Sequence, residues 1–332
     1  MADEELPWPT PAAQPHLYGH DQAIHGFRQA VDGGRLHHAW LITGPVGLGK
    51  ATLVYRFARY LLAGQGGAED LSVDMDSPAV QRVIAGSHGD LLTVERGFNE
   101  KTGKARTELP VEAVRRIAPF LQSTASEGGW RIVILDDADT MNRSSQNALL
   151  KVLEEPPSKA LLLLISDHPE RLLATIRSRC RQLPLEPLEL EPLIEAVTKL
   201  SNGEIDRSTI TRLAPLAGFA PGQVLQLWHA DVPAMLDDFE ASLSPDAHDI
   251  RQRLAISLGQ DQAKWRYFEA IAKGWLHSRI KSQQHGQASL DPVFALWDKT
   301  GRSLSDAEVR SLDRRLAALM LLETLSAHAA AA

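Results

Sequence analysis

The segment Gly44-Pro45-Val46-Gly47-Leu48-Gly49-Lys50-Ala51-Thr52 follows the phosphate-binding pattern G-x-x-x-x-G-K-[ST] up to the position after the lysine. In such a loop, backbone N–H groups and the positive end of the following helix hold phosphate oxygens. Glycines let the backbone come close, and the lysine reaches the outer phosphates. Gly44, Gly47, Gly49 and Lys50 supply those parts, but Ala51 offers no hydroxyl to ligate Mg²⁺. Thr52 stands one residue further on, turned by about 100° around a helix, and does not replace it. The expected chemistry is phosphate binding without efficient hydrolysis; a glycine turn that meets no phosphate is the plain alternative.

A second chemical signal is the apolar run Ile132-Val133-Ile134-Leu135, which ends in Asp136-Asp137-Ala138-Asp139. A buried parallel strand that delivers carboxylates at its C-terminal end places them where ligands bind in such sheets. Asp136 is the candidate Mg²⁺ ligand. Asp137 stands where hydrolytic P-loop proteins usually carry a longer glutamate to orient water, so it reaches short. Ser166, at the tip of a further strand candidate Leu161–Ile165, completes the nucleotide-binding candidates with Gly44, Gly47, Gly49, Lys50, Ala51, Thr52, Asp136 and Asp137.

These residues need a scaffold, and the patterning supplies one. Ala39–Thr43 reads as a short strand before the loop and Thr52–Leu62 as a helix after it; strand, loop and helix together are a far stronger signal than the glycines alone. Asp21–Ala30 is a helix candidate, Pro78–Ile84 a short one, and Leu91–Glu95 a second strand, followed by a polar excursion over Gly97–Glu108. Pro110 sits where a first helical position would be, and Val111, Val114, Ile117 and Leu121 recur at the spacing of one amphipathic helix. Asn142–Glu155 is a helix stopped by Pro156-Pro157. Strands separated by helices predict an α/β fold with a doubly wound parallel sheet. Residues 1–16, with four prolines, read as an arm rather than a packed element. Beyond Leu188 the pattern is helical, including Trp265–Ile280 and Asp306–Ala327, and Trp265, Trp275 and Trp297 read as core.

Composition narrows the function classes. The 332 residues suggest two or three domains, and 44% hydrophobic with 23% charged residues is ordinary for a soluble chain. No apolar stretch approaches the ~20 residues of a membrane span, and the acidic N-terminus does not read as a signal peptide, so the cytoplasm is the expected location. A net charge of −7 argues against coating nucleic acid by bulk electrostatics, while leaving room for local basic patches. Cys180 is the single cysteine, which excludes an internal disulfide framework and a multi-cysteine zinc site.

Several motifs fall in a fixed order: Leu17-Tyr18-Gly19-His20, His38-Ala39-Trp40, the phosphate loop, Asn147-Ala148-Leu149-Leu150-Lys151-Val152-Leu153-Glu154-Glu155-Pro156-Pro157 and Thr175-Ile176-Arg177-Ser178-Arg179-Cys180. Over roughly residues 15–230 the chain resembles the AAA+ clamp-loader subunits of bacterial DNA polymerase III, and within that family it is most similar to the delta-prime branch. Ala51 and Asp137 depart from the gamma/tau motor pattern. So does Gly218-Phe219-Ala220-Pro221-Gly222-Gln223, where motors place an arginine.

The resemblance implies an arm (1–16), a P-loop AAA+ domain (17–186), a small helical lid (187–230) and an all-α C-terminal collar for oligomerisation (231–332). It implies that Arg179 acts in trans as an arginine finger on a neighbour's ATP, a surface or structural arginine being the alternative. It also implies gamma/tau and delta subunits as partners, with primed DNA and the sliding clamp in the assembly and no membrane. Bound ATP or ADP with Mg²⁺ remains open. The four-cysteine module of many relatives is missing, so no zinc is carried over. Arg115, Arg116 and Lys151 are candidate phosphate contacts, with ordinary exposed charge as the plainer reading. The competing function is a self-sufficient, gamma/tau-like ATPase using Lys50, Asp136 and Asp137; a small-molecule phosphotransferase would need an acceptor motif that is not apparent.

Overall fold

A computed structural model describes residues 8–64, 68–98, 103, 106–127, 129–283, 291–309 and 313–331. The apolar runs form β1 (Ala39–Thr43), β3 (Arg131–Leu135) and β4 (Ala160–Ser166), in which every residue is buried. Burial on both faces is what a parallel sheet covered by helices demands of its central strands. With β2 (Leu91–Val94) and β5 (Arg181–Pro184), they make a five-stranded parallel sheet of order β2-β3-β4-β1-β5. The C-terminal ends of β1, β3 and β4 therefore lie side by side, Thr43 paired with Ser166 and Leu135 with Leu164.

Helices α1 (Asp21–Asp32) and α2 (Lys50–Leu62) contribute to one apolar cluster, and α4 (Val111–Arg115), α5 (Ile117–Gln122) and α6 (Arg143–Glu154) to another. The first is centred on aromatic rings. Phe57 stacks on Phe27 with centroids 3.7 Å apart, and Trp40 meets Phe27 at 5.4 Å. The short α3 (Pro78–Ile84) and α7 (Ala174–Arg177) complete the helices around the sheet.

Helices α8 (Leu190–Leu200), α9 (Arg207–Leu213) and α10 (Pro221–His229) follow. After them come α11 (Val232–Ser242), α12 (His248–Gln260), α13 (Gln262–Gln283), α14 (Asp291–Val309) and α15 (Arg314–Ala331). The chain divides into two compact units, one running to Asn202 and including Ala220–Gln223, the other made of Gly203–Phe219 and the chain from Val224 onward. In the second unit the buried Arg251 of α12 donates to the carbonyls of Ser242 and Ser244, both at 2.8 Å, and pairs with Glu323 of α15 at 3.1 Å. Trp265 is buried in this unit, and Trp275 packs edge-on against Phe239. Among the described residues, no helix is long and apolar enough to cross a membrane.

Four local expectations change. The helix expected from Pro110 onward is broken at Arg116, and Pro110 caps it rather than entering it. Pro119 explains the break: it has no N–H for the Arg115 carbonyl four residues back, and its ring crowds that oxygen. The helix expected over Asp306–Ala327 belongs to two helices, α14 and α15. The Asp313 carboxylate accepts from the backbone N–H of Arg315 at 2.9 Å, starting α15 afresh. Strand β5 was not expected, because it is a polar edge strand with no apolar run. The arm is packed in part, with Ala12 and Gln14 buried. The expected polar excursion over Gly97–Glu108 falls partly outside the described residues.

Phe57 is fully buried within its aromatic cluster. Phe57→Ala should lower unfolding free energy by about 3–5 kcal/mol, the usual cost of emptying an aromatic core position. Denaturant unfolding of the two proteins measures it; a loss under about 1 kcal/mol would mean that the cluster does not hold α1 and α2 to the sheet.

Candidate functional site

The glycine loop joins β1 to α2 at the C-terminal edge of the sheet. Gly44 has φ 138°, and a Cβ there would stand 2.5 Å from the Leu185 carbonyl oxygen. Gly47 has φ 82°, and its Cβ would meet the backbone nitrogen of Gln223 at 2.6 Å. The Gly222 N–H donates to the Gly47 carbonyl at 2.9 Å, so the segment Ala220–Gln223 lies directly on the loop. This is the stretch in which the sequence has glycine and glutamine where an arginine would be sought. His20 lies against the other side of the loop, its Nε2 2.9 Å from the Leu48 carbonyl, and burial lowers its pKa.

Lys50 is 5% exposed and turns back into the loop. Its Nζ donates to the carbonyls of Gly44 at 2.8 Å and Pro45 at 2.6 Å, and pairs with Asp167 at 2.6 Å. Asp167 was not among the expected site residues. It follows β4 immediately, and because β4 pairs with β1 it arrives beside the loop. Its own backbone N–H donates to Asp139 at 3.1 Å. Ser166 is fully buried, and its Oγ has no hydrogen-bond partner among the described residues. Ala51 packs against the aromatic core cluster, and Thr52 is half-buried.

The two carboxylates after β3 diverge. Asp136 receives the N–H of Asp137 at 2.9 Å, and its pKa is raised from 3.8 to about 6, first by burial and then by the charge of Asp137. Asp137 sits in the left-handed region at φ 51° and pairs with Arg96, Nε to Oδ2, at 2.7 Å. Arg96 follows β2, the strand next to β3, so the pairing depends on strand order and has no signal in the local sequence.

Arg179 is not drawn to the loop. It follows α7, pairs with Glu154 at the end of α6 at 2.9 Å and donates to the Thr175 carbonyl at 3.1 Å, with 36% of its side chain exposed. Arg115, Arg116 and Lys151 are exposed. Cys180 is buried, and burial pushes its thiol up to about 12, which leaves it unreactive. Among the described residues no group of three or more His, Cys, Asp or Glu side chains could hold a metal ion.

A parallel sheet with a glycine loop between β1 and α2, and carboxylates beyond β3, defines a protein of the P-loop α/β class. Residues 19–189 match the family described as DNA polymerase III, delta subunit, and the chain belongs to that family. It is 38% identical over 200 residues to DNA polymerase III subunit delta' of Escherichia coli (strain K12), covering 60% of this chain and 56% of that protein. It is 40% identical over 171 residues to the delta' subunit of Pseudomonas aeruginosa, covering 50% of each. The tau subunit of Salmonella typhimurium is 28% identical over 188 residues, covering 57% of this chain and 28% of that protein. The delta-prime resemblance of the sequence therefore stands. The chain spans about half the length of the delta' proteins it matches. A gamma subunit-related protein from Thermotoga maritima aligns over 93% of this chain and 98% of its own at 15% identity and TM-score 0.48; the fold assignment rests on the sheet topology instead.

Asp136 generates a pH test. Its folded-state value, about 6, lies above the ordinary 3.8, so the folded protein holds this proton more tightly. Its stabilising contribution is complete below about pH 4 and is lost as pH rises through 6. Asp136→Asn should therefore be more stable than wild type by about 1–3 kcal/mol at pH 8 and equal to it near pH 4. Denaturation midpoints at the two pH values decide; equal stability at pH 8 would remove the burial argument.

Proposed function

We propose that this chain is a non-motor subunit of a clamp loader, helping to place a sliding clamp on primed DNA during replication. In this reading it works in the cytoplasm at the nucleoid with gamma/tau and delta subunits. Its own nucleotide site is degenerate, and Arg179 serves a neighbour's ATP in trans. The observation that carries the reading is the Lys50–Asp167 pair at 2.6 Å. A carboxylate of the chain already neutralises the lysine that would meet the outer phosphates, and the lysine's other donors go to loop carbonyls.

Three further features support it. Ala51 gives no hydroxyl to Mg²⁺, Asp137 is paired with Arg96, and the loop carries Gly222 against it rather than an arginine. As arranged, this donor set does not fit a hydrolysable Mg–nucleotide. Arg179 fits the opposite role. Its pair with Glu154 is solvent-exposed, and exposed pairs are worth about 0–1 kcal/mol, so the guanidinium is cheaply released to a stronger anion.

ATP turnover by a reconstituted clamp loader tests the reading. Arg179→Ala should slow the site it serves by about 10³-fold or more, Lys50→Ala should change turnover little, and the isolated chain should show none. Robust solo turnover abolished by Lys50→Ala would make the chain a gamma/tau-like motor instead. A second measurement addresses the lysine: Asp167→Ala should raise affinity for a fluorescent adenine nucleotide by about tenfold, the worth of about one charge-assisted hydrogen bond. Tight binding by wild type, unchanged in the variant, would sink the idea that Asp167 closes the site.

A further inference from the structure

Two arginines of α2, Arg56 and Arg59, are one turn apart, beyond the loop, and 6% and 2% exposed. Arg56 is well served: Nε donates to the Asp70 carbonyl, Nη1 to the Pro15 carbonyl and Nη2 to the Asp70 carboxylate, each at 2.8 Å. Arg59 is not. It donates to the carbonyls of Ala12 and Gln14, and its buried Nε has no partner among the described residues. Of the five N–H donors of a guanidinium, two have discrete acceptors.

The charges do not balance either. Asp70 is the one carboxylate in ion-pair contact with the two arginines among the described residues, and it pairs with Arg56 while remaining 61% exposed. Buried charge without an opposite charge is strongly unfavourable, and carbonyls answer the donors without answering the charge. Burial and the neighbouring Arg56 guanidinium push Arg59 down to about 10, the direction expected of an uncompensated cation.

Beside this pair lies a cavity of about 260 Å³, lined among others by Pro15, His16, Arg56, Arg59, Asp70 and Ser72. That is far more than the ~30 Å³ share of one liquid water. Water would fill the space without neutralising the guanidinium. An oxyanion does both, and a planar fork with spare N–H groups is the donor that recognises it. The exposed acids Glu69, Asp74 and Asp76 flank the lining residues and repel a polyanion, which leaves a small one.

We propose that this cavity is a binding site for a small oxyanion of the phosphate class, either free orthophosphate or a low-molecular-weight phosphate monoester, distinct from the glycine loop. The full chain is titrated with sodium phosphate, with glycerol phosphate, and with sodium chloride at matched ionic strength, following Tm and ³¹P line width. Phosphate should raise Tm saturably by about 2–4 °C beyond chloride. The response should persist in Lys50→Ala and vanish in Arg59→Met. A glycerol phosphate response equal to or larger than that of phosphate identifies the ester as the source; a phosphate-only response identifies the free ion.

Because Arg59→Met also loosens the arm, a second variant places a carboxylate on the cavity wall. Ser72→Glu should raise Tm in phosphate-free buffer and abolish the phosphate response. A wild-type response no greater than chloride, one retained in folded Arg59→Met, one lost in Lys50→Ala, or one unchanged in Ser72→Glu would each overturn the assignment.

Discussion

A lysine ammonium buried to 5% of its surface has to meet an anion, and the arrangement of this site follows from that requirement. In a phosphate loop the anion is ordinarily a ligand. Here it is Asp167, delivered by the parallel pairing of β4 with β1, which sets Thr43 opposite Ser166 and brings the residues just beyond both strands together. The same ammonium also donates to two carbonyls of its own loop, those of Gly44 and Pro45.

The same logic extends along the strand ends. Asp137 is neutralised by Arg96 from beyond β2, while Asp136 keeps a raised pKa through burial and the charge of Asp137 beside it. One carboxylate is tied to a partner and the other is left in an unfavourable field. Arg179 differs in kind, since its carboxylate partner, Glu154, is half exposed to water.

The central scaffold was legible because buried parallel strands write themselves as continuous apolar runs, and β1, β3 and β4 lie where those runs fall. The loop glycines and Asp136 were legible for the same reason, as they sit at fixed offsets from such strands. What escaped was either weakly patterned or non-local. β5 is a polar edge with no run to see. The break at Arg116 is set by a proline three residues later, beneath an apolar spacing that ignores it. Asp167 and Arg96 acquire their partners through strand order, which no window of neighbouring residues contains.

The contact between Gly47 and Gly222 carries a different kind of consequence. A Cβ at Gly222 would stand 3.1 Å from the Gly47 Cα, and a Cβ at Gly47 would stand 2.6 Å from the Gln223 nitrogen. The two positions are coupled unequally: a side chain at Gly47 would have to push the segment off the loop, whereas one at Gly222 would need the loop to give by a few tenths of an ångström. The loop's shape is thus tied to a segment more than 170 residues away in the chain, so a change at Gly47 would be felt first at Ala220–Gln223 and only then in the sheet.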